Sequence, residues 1–84
     1  MKAYQVEWNA PATDLLADAY FRVSDPNIIW PAQYRADRKL EKNPRTVGVE
    51  LSEGLWQIIE PPLKIFYEID DDKKIVTVTH VDII

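Results

Sequence analysis

Two side chains in this sequence combine reactive chemistry with a rigid setting. Lys64 lies in Leu63-Lys64-Ile65-Phe66-Tyr67-Glu68-Ile69-Asp70. Strict alternation there reads as a strand with Leu63, Ile65, Tyr67 and Ile69 on one face and Lys64, Phe66 and Glu68 on the other. An ammonium near the middle of a sheet is held still and can steady a negative charge; the bland alternative is a solvated lysine on an exposed face. His80 is the sole histidine, hence the sole side chain whose ordinary pKa suits proton exchange near neutrality. Alternation puts Ile75, Thr77, Thr79 and Val81 on one face and His80 on the other with Val76 and Val78, which also describes an ordinary hydrogen-bonded strand histidine. A third feature is cationic. Between residues 33 and 46, Arg35, Arg38, Lys39, Lys42 and Arg45 stand against Asp37 and Glu41, a balance of +3; the whole chain is −4, so the remainder carries −7. Such a strip suits an acidic protein or a nucleic acid. It equally suits a solvated helix face, whose pairs, such as Arg38 with Glu41, contribute only about 0.2–0.5 kcal/mol each.

The elements that must position these groups follow from periodicity. Residues 2–8 alternate, with Tyr4, Val6 and Trp8 opposite Ala3, Gln5 and Glu7, the pattern of a half-buried strand. Asn9 and Pro11 mark a helix start, and Ala12, Leu15, Leu16, Ala19 and Val23 recur at helical spacing over about three turns. Ser24-Asp25-Pro26 opens a second helix. Pro31 one turn later removes a hydrogen bond at a cost of ~3 kcal/mol, so either Pro26–Trp30 is a separate turn or the helix is disturbed in its first turn. The expectation is one continuous helix to Leu40, with Ile29, Ala32, Ala36 and Leu40 as its buried stripe. Asn43-Pro44 ends it, and Val47-Gly48 begins an irregular approach to the sheet. Strands follow near 55–60, 63–70 and 73–82, separated by the Pro61-Pro62 break and the acidic tip Asp70-Asp71-Asp72. The order β-α-α-β-β-β predicts an α+β fold of two helices packed on a mainly antiparallel four-stranded sheet, in one domain over residues 1–84.

Composition sets bounds. The absence of cysteine excludes disulfides and thiolate metal sites, and nothing in the sequence requires a cofactor or a metal. No window approaches the roughly 18 apolar residues of a membrane span, and the N-terminus lacks a secretory pattern, so a cytoplasmic protein with no membrane partner is expected. Net acidity counts against indiscriminate nucleic-acid binding. Trp8, Trp30 and Trp56 are more aromatic surface than so small a core comfortably encloses, which points to a homodimer or a partner-covered patch.

Three phrases of the chain resemble the RelE/ParE superfamily, the toxins of bacterial toxin–antitoxin modules. Leu40-Glu41-Lys42-Asn43-Pro44 followed by Gly48 resembles that family's Leu-x-x-x-Pro-x-x-x-Gly junction. Gly54-Leu55-Trp56 resembles the entry to its second strand, and Pro62–Asp70 its third strand, with Lys64 where the family usually has arginine. The resemblance spans nearly the whole chain. It implies a plasmid-stabilisation-like toxin of a type II system, with a cognate antitoxin as partner. RelE-like members cleave mRNA on the ribosome and ParE-like members poison DNA gyrase; a shared fold does not choose between them.

Metal-free RNA cleavage needs a base for the 2′-hydroxyl, an acid for the leaving 5′-oxygen and a cation for the phosphate. The resemblance implies Lys64 for the cation and Glu50 for proton transfer, Glu50 lying where some ribonuclease members keep a carboxylate. His80, singled out by its ordinary pKa, is the other candidate for proton transfer, although the family's catalytic residues near the C-terminus often lie a little further on. The strip of Arg35, Arg38, Lys39, Lys42 and Arg45 becomes the contact for antitoxin or nucleic acid. Departures weigh against the nuclease. Gln57, Ile58 and Ile59 stand where arginine is common, Val49-Glu50-Leu51-Ser52-Glu53 replaces a lysine-rich approach, and the sequence ends at Ile84 without a basic or aromatic tail. Gyrase inhibition needs no catalytic set. A degenerate toxin acting only as a protein-interaction module is the alternative.

Overall fold

The computed structural model describes residues 3–84; Lys2, in the expected first strand, lies outside them. The chain runs β1 (Gln5–Trp8), α1 (Ala10–Arg22), a 3₁₀ turn (Pro26–Ile28), α2 (Ile29–Lys42), a one-turn α3 (Pro44–Val47), then β2 (Val49–Ser52), β3 (Leu55–Glu60), β4 (Leu63–Asp70) and β5 (Ile75–Ile83). No helix among the described residues is long and apolar enough to cross a membrane.

Local chemistry sets the helix boundaries. The Asn9 side chain accepts the Ala12 N–H at 2.9 Å, and Pro11 occupies the first turn of α1, where its missing donor costs nothing. Asp25 accepts the Asn27 N–H at 3.1 Å and starts the 3₁₀ turn. The single continuous helix from Pro26 to Leu40 is not what forms. α2 begins afresh at Ile29, so Pro31 falls in its first turn, where backbone N–H groups have no intrahelical partner and the expected penalty vanishes. The predicted stripe of Ile29, Ala32, Ala36 and Leu40 is fully buried.

The sheet differs from expectation in number and sense. It has five strands in the order β1-β5-β4-β3-β2, antiparallel except for β1, which lies parallel to β5. The residues read as an irregular approach form β2, paired to β3 with a register shift between Glu50 and Ser52. All four of its residues are exposed. A short edge strand with no buried side leaves only a weak alternation signal in the sequence. Parallel pairing of β1 is likewise invisible to periodicity, since it depends on where the helical hairpin returns the chain. Both helices cover one face, where Ala12, Ala19, Ile29, Ala32, Ala36 and Leu40 meet Ile58, Leu63, Ile65, Tyr67, Val76, Val78 and Val81 in a single core. The other face of the sheet is open.

Candidate functional site

The open face owes its chemistry to one irregularity. Along β4 and β5, Tyr67 pairs with Val78 but Phe66 pairs with His80, so Thr79 is an extra residue on β5. This β-bulge turns the strand by one residue. Val76 and Val78 precede it and are buried, while Val81, one residue out of phase with them, is buried after it. His80 therefore does not share a face with Val76 and Val78, as simple alternation requires. It emerges on the open side.

That shift gathers one patch. Lys64 is paired across the ladder with Asp82 on β5 and Ile59 on β3; Phe66 is paired with His80 and Gln57. His80 Nε2 lies 2.9 Å from Asp82 Oδ1. The Phe66 and His80 rings meet edge to face at 5.4 Å, and Lys64 Nζ stands 5.5 Å from the Phe66 centroid, within cation–π range. Sequence reasoning named Lys64 and His80 but missed Asp82. Its signal was present: two residues apart on a strand, His80 and Asp82 must share a face. The carboxylate can hold the imidazole in one orientation, while Lys64 supplies a nearby cation. Among the described residues no three potential ligands gather around one metal position.

Glu50 does not join this patch. It pairs with Trp56, which stacks on Tyr67 with centroids 6.4 Å apart on the helix side of the sheet. Its carboxylate accepts the Gly54 N–H at 3.2 Å and so ties the β2–β3 turn. Gly54 has φ 83° there, in the left-handed region that glycine adopts without strain. Tyr67 is fully buried. Its hydroxyl donates to the Pro44 carbonyl at 2.6 Å, and burial pushes its pKa up to about 12.

The basic strip is divided. Arg35 Nε donates to Glu60 Oε1 at 2.7 Å and Lys39 Nζ to Glu60 Oε2 at 2.8 Å. Burial alone raises the Glu60 pKa, but these two hydrogen bonds and the charges behind them outweigh it and hold the carboxyl below its usual range. Arg45 pairs with Asp71 and covers the Trp56 ring, 5.6 Å from its centroid. Asp71 also accepts from the Tyr4 hydroxyl at 2.6 Å; this bond and Arg45 lower its pKa. Arg38 and Lys42 are exposed and carry no ion pair among the described residues. Of the three tryptophans, Trp8 donates to Asp37 at 3.0 Å, Trp56 is half-buried, and Trp30 is 58% exposed.

No protein-family model matches the sequence, and no curated protein does. Solved structures do match. A chain of the toxin–antitoxin complex RelBE2 from Mycobacterium tuberculosis superposes with TM-score 0.83 at 24% identity, over 100% of this chain and 94% of that one. A chain of the archaeal RelE–RelB complex from Pyrococcus horikoshii OT3 gives 0.66 at 11% identity, covering 95% and 93%. One from the chromosomal ParDE system of P. aeruginosa gives 0.66 at 15%, covering 96% of each chain. The fold is that of the RelE/ParE toxins. Within it, the junction phrase acquires a physical role. Pro44 presents the carbonyl that receives Tyr67, and Gly48 lies directly beneath the phenol. A Cβ on Gly48 would collide with Tyr67 Oη and lie 2.5 Å from the Gln57 carbonyl oxygen, so only glycine lets the chain pass between helix and sheet.

Proposed function

We propose that this chain is the toxin of a type II toxin–antitoxin module, acting in the cytoplasm and neutralised by a cognate antitoxin. The supporting observation is the end-to-end likeness to chains from three toxin–antitoxin systems, at TM-scores of 0.66 to 0.83. For the inhibitory chemistry, the Lys64–His80–Asp82 patch favours metal-independent RNA cleavage. His80, oriented by Asp82, takes the proton of a 2′-hydroxyl as its oxygen attacks the adjacent phosphorus. Lys64 steadies the charge that develops on the phosphate oxygens. The P–O5′ bond breaks, and the 5′-oxygen takes a proton from Lys64 or water, leaving a 2′,3′-cyclic phosphate and a 5′-hydroxyl. Glu50 has no part in this reaction.

A second reading, an interaction module without chemistry, is favoured by a different observation: Arg35, Lys39 and Arg45 are engaged in internal ion pairs, which leaves few cations for a polyanion. Inducing the chain alone, beside Lys64→Ala and His80→Ala, separates the two. Growth arrest relieved by both variants, with transcript ends carrying cyclic phosphate, supports the nuclease. Arrest that both variants retain points to a target such as gyrase, engaged without chemistry on this face. Normal growth with confirmed native expression favours the interaction module.

A further inference from the structure

A concavity lies at the end of the sheet where α2 begins. It measures about 450 Å³ and is lined by Asn27, Ile28, Pro31, Arg35, Pro61 and Pro62. Its walls come from the 3₁₀ turn, the start of α2 that follows it directly, and the β3–β4 connection. The prolines make those walls stiff. Ile28 is 43% exposed, apolar surface that no described residue covers. Arg35 alone brings charge to it.

That charge is fixed and unbalanced. Glu60, only 7% exposed, receives Arg35 through Nε and Lys39 through Nζ. Two cations around one carboxylate leave a surplus of +1. Bonding through Nε also leaves the terminal nitrogens of the guanidinium for another acceptor, in a geometry suited to a carboxylate. An apolar hollow with a rigid guanidinium at its wall complements an apolar side chain that has a carboxylate beside it. Arg38, three residues after Arg35, and Lys42, four residues after Arg38, continue the positive charge along α2 on neighbouring positions of the helix surface. A nucleic acid supplies the anion but has no aliphatic side chain for the Ile28 and proline walls.

We propose that this hollow anchors an acidic protein partner, taking one apolar side chain against Ile28 and the prolines while the carboxylate beside it pairs with Arg35. The assignment rests on the reading that the chain is held by a cognate antitoxin, and it names where and by what chemistry that partner is gripped.

The anchor is tested first without the partner, by amide NMR of the full chain titrated with N-acetyl-L-leucine, which carries both an isobutyl group and a carboxylate. Shifts confined to Asn27, Ile28 and Arg35 are expected, with binding about tenfold weaker for uncharged N-acetyl-L-leucinamide and that difference lost in Arg35→Gln. Calorimetry with the antitoxin encoded beside the chain follows. Ile28→Asp and Arg35→Gln, each shown by its thermal melt to be folded, should weaken the complex at least about tenfold, while Lys73→Ala, an exposed residue of the β4–β5 turn, leaves it unchanged. Three results overturn the proposal. One is no shift at the hollow; another is both variants binding antitoxin within about twofold of the native chain; the third is a short single-stranded RNA displacing N-acetyl-leucine from the hollow. If N-acetyl-leucine binds as expected but no antitoxin does, the anchor chemistry stands and the toxin–antitoxin reading falls.

Discussion

Gly48→Ala probes the passage between helix and sheet most directly. The added methyl collides with the Tyr67 hydroxyl and lies 2.5 Å from the Gln57 carbonyl oxygen, with Tyr67 Cζ at 3.0 Å. The carbonyl belongs to β3 and is fixed by its ladder, so the phenol must move. Overpacking of this kind costs about 1–3 kcal/mol. Displacing the phenol also breaks its 2.6 Å bond to the Pro44 carbonyl and strands a buried polar group, for roughly another 1–3 kcal/mol. The total of about 2–6 kcal/mol is a large share of the roughly 4–13 kcal/mol expected for a domain of this length. Tyr67→Phe alone loses only the hydrogen bond, about 1–2 kcal/mol. In the double variant the colliding oxygen is gone, so the two costs should fall short of additivity by more than about 1 kcal/mol. A residual cost remains, because Gln57 O and Cζ are still close. Urea unfolding of the four proteins measures the coupling. Additivity within about 0.5 kcal/mol, the scatter expected of independent sites, would refute the proposed contact between Gly48 and the Tyr67 hydroxyl.

Two titrations follow from named groups. Glu60 has a pKa held below its ordinary 4.5, so its contribution is complete above that value and is lost as pH falls from there through the lowered folded-state pKa. Glu60→Gln should lower stability by about 1–3 kcal/mol at neutral pH and flatten the acid limb; an unchanged limb would show that the pairing with Arg35 and Lys39 does not stabilise the fold. Tyr67 titrates in the opposite sense. Its folded pKa of about 12 exceeds the ordinary 10.0, so stability is intact below pH 10 and declines as the unfolded phenol ionises between the two values. Tyr67→Phe should remove that decline in alkaline thermal melts, and persistence of the same slope would place its origin elsewhere. On the open face, any cleavage activity should fall at least about tenfold in Asp82→Asn, whereas activity within about twofold of the native chain would deny Asp82 its orienting role.

Much of the fold was legible because it rests on local periodicity. The buried stripe of α2, the inward set of β4 and the limits of β3 each follow from apolar spacing, and the caps at Asn9 and Asp25 from residue type. What escaped depended on pairing. β2 has no buried residue to mark it, and its existence is set by the exposed edge that β3 offers. Pro31 looked like a helix fault because the restart of α2 at Ile29 depends on the 3₁₀ turn before it. The basic strip was visible as a run of charge, but its division was not: Glu60 and Asp71, which engage three of its five members, are distant in sequence.

The candidate site shows the same boundary most sharply. From sequence alone came Lys64 on the polar face of a central strand and the one proton-exchanging histidine; Asp82, two residues beyond it, was missed. Tertiary structure decided that these belong together. An extra residue at Thr79 is permitted by β5 but demanded only by its pairing with β4, where Phe66 meets His80 while Tyr67 meets Val78. Because side chains in a strand alternate with a period of two, that single insertion reverses the facing of everything after it. It carries Val81 into the core and His80 out to Lys64, and no pattern confined to one strand records it.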